Sequence, residues 1–451
     1  MDYGKEPELT GRIVVPGDPQ YDSARKEFNI FFDKYPLVIV FAQETQDVVN
    51  AVRWALNRKV PIRMRSGRHN YEGLSVVNAG IVIDVSEMKQ VEVDRSSGIA
   101  TIGTGWRNIE LTETLGSEGL VVPTGICATP GIAGLTLGGG HPIQARTWGL
   151  TQDHLLELEM VDANGRVIRA NDNKHSDLFW AYRGGGGGNF GICTSFRFRT
   201  HHIETVGYAE ISWALKDLKS VLRVWQDYTL PNSDNRFTST FFISKGVEPN
   251  LLMQGAFLGS EKELRRLLEP LLRAGSPLSV TIKEMPWLEV APRFYARNPT
   301  TPLPFKSVGP YVYDLLPERA LKIIERFINE PPTNTTTSVL FHALNGTVAK
   351  IPNRATAYFY RKALSNMSLF ATWSRPEGAA PGIRWVEDFR REMLPFTKGV
   401  YVNTPDLSIK NWPAAYYGSN FDRLTQVKAR YDPKNVFSFP QSIPPASFTW
   451  L

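Results

Sequence analysis

Three observations in the sequence predict an α+β protein built in two differently textured parts. Up to about residue 200, short apolar strands alternate with one clear amphipathic helix and an unusual density of glycine. From about 205 to 400, strands alternate with well-marked helices, the pattern of a sheet covered on one side by helices with a core of its own. The last fifty residues, dense in Tyr, Asn and Pro, read as irregular. A chain of 451 residues, 42% hydrophobic and 21% charged, has room for two or three such domains.

Val48, Val49, Val52, Ala55 and Leu56 fall on one face of a helix over 46–57, with Thr45 as the expected N-cap. Val60, Ile62 and Met64 then alternate as a strand, which ends in the polar turn Arg65-Ser66-Gly67-Arg68-His69-Asn70; IVIDVS follows as a buried strand. VEVDRSSGIATIGTG reads as two strands around an Arg-Ser-Ser-Gly turn, and LEMVDANGRVIRA as two strands around Asn164-Gly165, a strong hairpin signal. LFWAYR has helical character and FGICTSFRF alternates like a strand. In the second part FTSTFFIS, LLMQGAFLG, SVLFHAL and TAYFYR read as strands. Ser260 with Glu263 forms a capping box that opens a helix with Leu264, Leu267, Leu268, Leu271 and Leu272 on its buried stripe.

Several function classes drop out. No run of about 18 apolar residues exists to cross a bilayer. The start, MDYGKEPELTGRIVVPG, lacks a signal-peptide pattern, so the expected location is the cytoplasm. Fifty-one Lys and Arg against 45 Asp and Glu leave a dispersed charge of +6, which does not support nucleic-acid binding. Two cysteines and seven histidines without ligand spacing argue against a metal site, and His201-His202 read as surface. A Cys127–Cys193 disulfide is formally open, but a cytosolic chain keeps its thiols reduced. A nucleophile elbow and a phosphate-binding Walker loop are both absent.

The glycines carry more. Gly184 to Gly188, then Asn189-Phe190-Gly191, contain a G-x-G-x-x-G match at Gly186, Gly188 and Gly191. A helix precedes it and a strand follows, the reverse of a dinucleotide fold, so that reading fails. A flexible linker is the plain alternative, yet apolar segments on both sides favour close approach of backbone to a ligand or strand. A second cluster runs from Pro123-Thr124-Gly125-Ile126-Cys127 through Gly138-Gly139-Gly140-His141. Its N–H groups suit a concavity for phosphate oxygens, or else it forms tight turns on a core. Cys127 alone would count as a small buried hydrophobe.

With RSGRHNYEG, GICATPGIAGLTLGGG, LFWAYRGGGGGNFGI, TAYFYRKAL, YVNTPD and YYGSNFDRLTQVKARYDPKNVFSFPQSIPP in this order, the chain resembles the berberine bridge enzyme-like oxidoreductases of the vanillyl-alcohol-oxidase superfamily. The resemblance covers nearly the whole length. It implies a two-lobed PCMH-type FAD-binding domain over 1–203, a substrate domain over 204–400, and a segment 401–451 returning to the first domain. It implies FAD attached twice, through His69 and Cys127, with the protein supplying orientation and electrostatics. Ser66, Gly67 and Asn70 would bind the pyrophosphate, with Arg68 adding charge beside it. Gly131, Gly134, Leu135, Gly139 and Gly149 would line the adenine-to-ribityl path, Asp153 and Ile192 would make smaller contacts, and Tyr401 and Asn403 would return beside the ring. Cys193 is left to the core.

The departures fall near the chemistry. Arg68 replaces a glycine of the family's turn, either adding charge or clashing with the turn. His141-Pro142 stand where Tyr or Phe and then Gly are usual. His141 is either a base, its ordinary pKa lying near neutrality, or a polar lining residue. Tyr401, His141 and Tyr71 are the candidate catalytic residues. Ser368 and Thr404 replace the family's polar pocket residues, and Pro130 leaves the electron acceptor open. The expected function is oxidation of a hydroxyl-bearing small molecule, an alcohol or sugar, with molecular oxygen as acceptor. The alternatives are a flavin dehydrogenase with another acceptor, and a structural or coat-type protein that binds flavin without turnover. No oligomeric state is implied.

Overall fold

The computed structural model describes residues 9–447; the first eight residues, on which part of the signal-peptide expectation falls, and the last four lie outside it. The first helix runs over Thr45–Arg58, and its cap is Glu44 rather than Thr45. The Asp47 carboxylate accepts the N–H groups of Gln43 and Glu44 (2.9 and 3.2 Å), which starts the helix one residue early. Thr45 is thereby helical, and its hydroxyl donates to Glu159 (2.9 Å) instead.

This helix lies beside a four-stranded sheet in the order Arg12–Val14, Val38–Phe41, Ile81–Asp84, Ile62–Arg65. The last three strands run parallel, which explains why Val38–Phe41 and Ile81–Asp84 are apolar and wholly buried rather than alternating. A five-stranded antiparallel sheet follows in the order Val91–Asp94, Ile99–Gly103, Ile192–Arg199, Leu155–Val161, Val167–Asn171. Both expected hairpins are in it. Ser176–Tyr182 is helical before the glycine run and Ile192–Arg199 extended after it. His201 is not a plain surface residue. Its ring stacks on Trp148 (4.3 Å) and its Nε2 lies 3.1 Å from His154 Nδ1.

The second part is a nine-stranded antiparallel sheet, with Thr205–Trp213, Leu251–Phe257, Phe237–Ile243, Thr335–Ala343 and Ser365–Trp373 adjacent in that order. Side chains alternate across it. Phe241, Met253, Val339, Phe341, Met367 and Leu369 pack into the main core with the helices Leu218–Trp225, Glu318–Asn329 and Ala379–Met393. Their neighbours Thr240, Phe242, Leu252, Ser338, His342 and Ser368 face a cavity. The helix after Ser260 carries the expected capping box but breaks at Glu269-Pro270, so only Leu264, Leu268 and Leu271 of its stripe are fully buried.

Two expectations fail. TAYFYR is not a strand: Ala357 and Tyr358 donate their N–H groups to the carbonyls of Trp180 and Arg183, at the end of another helix (3.2 and 3.1 Å). Apolar-polar alternation there reflects one ring packed on each side of an irregular crossing. The last fifty residues are not all irregular either, since Phe421–Tyr431 is a helix. Its buried Lys428 donates to Asp432 (2.7 Å) and to the carbonyls of Asn189 and Phe437 (2.6 and 2.8 Å), pinning the tail to the glycine run. Lys306, on the strand Phe305–Val308, ties Glu72 to Asp406 of the tail (2.8 Å to the latter).

Candidate active site

A cavity of about 550 Å³ lies between the glycine loops and the sheet. Its floor starts where Gly67 meets Gly131: a Cβ on Gly67 would come within 2.1 Å of the Gly131 nitrogen, so the two turns touch backbone to backbone. Among the described residues, no protein acceptor takes the N–H groups of Gly67, Arg68, His69, Asn70 or Tyr71. Arg68 adopts the left-handed region (φ +62°), which is the conformation that turns successive N–H groups toward one point. The expected turn therefore survives without its glycine. The guanidinium points away, to the Ser23 carbonyl (3.1 Å) and Asp84 (3.5 Å). Ser66 Oγ donates to the Thr104 carbonyl (2.8 Å), and Asn70 Oδ1 accepts from the N–H groups of Glu72 and Leu74 (3.0 and 2.9 Å). What remains for an anion is the row of backbone donors and the Asn70 Nδ2 amide, which lines the cavity.

His69 stacks on Phe28 (3.9 Å), and its Nε2 is held 2.7 Å from Thr129 Oγ1, leaving Nδ1 without a protein partner. Burial pulls its pKa down to about 3, so the ring is neutral. Cys127 lines the same cavity as a free thiol, pushed up to about 12 by burial. Cys193 is free, buried and also borders the cavity, while Tyr182 lies against it. Tyr71 packs edge-on against Phe305 (5.0 Å), with its pKa raised by burial and by the nearby Cys127 and Tyr401.

His141 and Tyr401 stack face to face, 3.9 Å between centroids and 19° from parallel. The Tyr401 oxygen accepts from the Gly140 N–H and from Asn403 Nδ2, both at 2.9 Å, and no described residue takes its proton. Burial raises its pKa and the two donors oppose that, leaving it at about 12. Behind His141 stands a pair of tyrosines that the sequence did not single out. Tyr358 donates its one proton to Tyr311 (2.8 Å), so its contact with His141 Nε2 (2.9 Å) needs a proton on that nitrogen. The His141 lone pair is then on Nδ1. Burial, and His342 nearby, depress the His141 pKa well below the ordinary value.

Gly131, Gly134, Leu135, Ile192 and Asn403 line the cavity as expected. Gly139, Gly149 and Asp153 do not. Gly139 (φ +128°) lies under the Tyr358 ring, where a Cβ would come within 2.8 Å. Asp153 makes a two-pronged pair with the buried Arg361 (2.7 and 2.8 Å) and also accepts from Leu150, and Gly149 packs against it. Ser368 borders the cavity, but its hydroxyl turns to Asn366 (3.2 Å); Thr404 donates to the Tyr401 carbonyl (2.9 Å). Asn366, Tyr358 and His342 are the site residues that sequence reasoning passed over.

A family model described as "FAD binding domain" matches residues 36–171, and one described as "Berberine and berberine like" matches residues 400–444. The FAD-linked oxidoreductase YgaK of Bacillus subtilis is 42% identical over 97% of this chain and 98% of its own length. The chain belongs to the berberine bridge enzyme-like family of FAD-linked oxidoreductases. Its fold superimposes on Physcomitrella patens BBE-like 1 with a TM-score of 0.89 at 28% identity, covering 97% of both chains. A chitooligosaccharide oxidase superimposes at 0.86 and 26% identity, over 97% of this chain and 98% of that one.

As a berberine bridge enzyme-like protein it is an FAD-dependent enzyme, and the residues fit the cofactor. The unengaged N–H groups of 67–71 suit a diphosphate. Gly134 has no atom within 4 Å of where a Cβ would stand, so the cavity floor there is bare backbone over which a flat ring can pass. No helix among the described residues is long and apolar enough to cross a membrane, and no group of three or more metal-ligating side chains occurs among them.

Proposed function

We propose that the enzyme oxidises a hydroxyl group of an uncharged small molecule, an alcohol or sugar, with oxygen as final acceptor, and that FAD is held by two covalent bonds. His69 Nδ1 and Cys127 Sγ would hold it, because each lines the cavity with no protein partner on that atom. Bound FAD supplies the two-electron acceptor. The observation that carries the reading is the His141–Tyr401 stack, in which each ring is anchored from behind and keeps one polar function free.

A substrate hydroxyl at the cavity edge of the stack would donate to His141 Nδ1 and accept from the Tyr401 O–H. His141 takes the proton, and Tyr401 stabilises the oxygen as negative charge develops on it. The depressed basicity of the buried imidazole makes early proton loss uphill, so the proton leaves together with the electron pair. The sheet face of the cavity carries Thr240, Ser307, Ser338, His342, Asn366 and Thr372 among apolar rings and, among the described residues, no carboxylate, which disfavours a cationic substrate. Oxygen as acceptor rests on the likeness to an enzyme named an oxidase.

Anaerobic mixing with a panel of sugars and secondary alcohols, read as bleaching of the flavin, tests the reading. His141→Phe is expected to slow bleaching by about 10²–10⁴-fold, and Tyr401→Phe to slow it as well. Because the His141 pKa is lowered, the wild-type rate shows no inflection near pH 6.5. Wild-type rates in both variants remove the proposed roles. Reoxidation in air within seconds supports oxygen, and persistence for many minutes excludes it.

A further inference from the structure

We propose that His342 is a substrate-binding residue whose Nδ1 accepts a hydrogen bond from a second hydroxyl of the substrate, on a carbon adjacent or next-adjacent to the one oxidised. The inference rests on the alcohol reading above and adds the residue that selects among alcohols. His342 sits on the cavity face of the strand Thr335–Ala343, between Thr240 and Asn366 on the neighbouring strands. Its ring lies 5.8 Å from that of His141, at 77° to it. Its Nε2 lies 3.1 Å from the Pro142 carbonyl. A carbonyl only accepts, so the proton is on Nε2 and the neutral ring has its lone pair on Nδ1. No described residue donates to that lone pair, although the side chain is only 4% exposed.

An unpartnered acceptor at a cavity wall is costly unless water or a ligand reaches it. Burial holds the ring pKa at about 4, so it remains an acceptor throughout the neutral range. The amide beside it on the next strand does not compete for the role. Asn366 spends its amide on the Gly309 and Pro310 carbonyls (2.8 and 3.3 Å) and its oxygen on Ser368. Tyr358 and the Pro142 carbonyl thus fix the tautomers of two imidazoles, His141 and His342. Both rings line the same cavity, their centroids 5.8 Å apart. A monohydroxy alcohol satisfies one of these acceptors, and a diol satisfies both.

The test is calorimetric titration of the holoprotein with trans-1,2-cyclohexanediol and with cyclohexanol. Wild type is expected to bind the diol about tenfold more tightly. His342→Phe should bring the two affinities within about twofold. His342→Gln, which keeps a donor for Pro142 and an acceptor for the cavity, should restore most of the ratio. In histidine-selective nitrogen spectra of wild type, the diol but not cyclohexanol should shift one unprotonated ring nitrogen, a measurement that does not depend on a variant folding. Equal wild-type affinities, no binding of either compound, or a ratio unchanged in His342→Phe would overturn the proposal. Flavin bleaching by the same compounds is scored separately: the expected ratio without bleaching removes the oxidation reading and leaves His342 in place, whereas bleaching with equal affinities does the reverse.

Discussion

Replacing Arg146 with Met should destabilise the protein by about 1–2 kcal/mol, and the figure follows from two opposing terms. Arg146 is wholly buried just after the His141-Pro142 step, and no carboxylate bonds to its guanidinium. It donates to the carbonyls of Phe237, Thr229, Leu344 and Leu230 (3.0, 3.0, 2.6 and 3.3 Å) and to Ser233 Oγ (2.6 Å). Methionine keeps most of the stem's volume but orphans the carbonyls of Phe237, Thr229 and Leu344, at roughly 1–2 kcal/mol each, or about 3–6 in total; the Leu230 carbonyl keeps the Ser233 N–H and hydroxyl (3.1 and 2.8 Å). Against this, burial already pulls the guanidinium pKa down to about 10, and relief of that desolvation returns roughly 3 kcal/mol. The orphaned acceptors win. Urea unfolding followed by tryptophan fluorescence should show the midpoint falling by roughly 0.5 M for a slope of about 3 kcal/mol/M. A midpoint unchanged or raised would mean that desolvation dominates and that the carbonyls find other donors.

Two further outcomes follow from the same structure. His154 is held at about pKa 4 by burial and by His201, below its unfolded value near 6.5. Between those values the unfolded chain binds a proton that the native one does not, so stability falls as pH drops through this window and levels off below it. Comparing urea midpoints at pH 6.5 and 5, His154→Phe should lose about 2 kcal/mol less than wild type; equal losses would take His154 out of the linkage. Arg68→Gly should leave stability within about 1 kcal/mol of wild type and retain bound flavin after gel filtration. It relieves left-handed strain of roughly 1–2 kcal/mol and loses the Ser23 contact and some chain rigidity. A loss beyond about 2 kcal/mol, or colourless protein, would show that the guanidinium and not the turn supports this segment.

The elements legible in the sequence were those whose signal is local. Asn164-Gly165 and Ser260 with Glu263 specify their turn and cap within four residues, and both formed. The apolar face of the first helix is similarly self-contained, and the error there was one residue at the cap, because Asp47 outcompeted Thr45. TAYFYR failed because its alternation has a tertiary origin: Tyr358 and Tyr360 both pack on Tyr311 from an irregular segment whose backbone bonds to the carbonyls of Trp180 and Arg183. The tail helix was missed because its anchor, Lys428, is a charged residue whose acceptors lie up to 239 positions away. The site divides in the same way. His69 and Cys127 stand out by motif, whereas His342 is one of several polar letters in its strand, informative only once alternation assigns it to the cavity face. Gly149 and Asp153 match a motif but hold up a corner beside Arg361.

The unusual residues around His141 are bound together by physical necessity. An imidazole stacked on Tyr401 becomes a useful acceptor only if one nitrogen keeps its proton, and Tyr358 fixes that by spending its own proton on Tyr311. Tyr358 reaches this position because Gly139 leaves its ring room, so the glycine expected beside the cofactor acts instead through a tyrosine on His141. Proline after His141 gives up an N–H but keeps its carbonyl, which His342 uses to fix its own tautomer. A change at any of these positions therefore alters which nitrogen faces the cavity before it alters the shape of the pocket. The same cavity with His141 alone substituted would leave Tyr358 with a lost donor and Tyr401 with a lost stacking partner. The coupling of these residues, more than the identity of any one, separates this site from the tyrosine-and-glycine pattern its family resemblance implied.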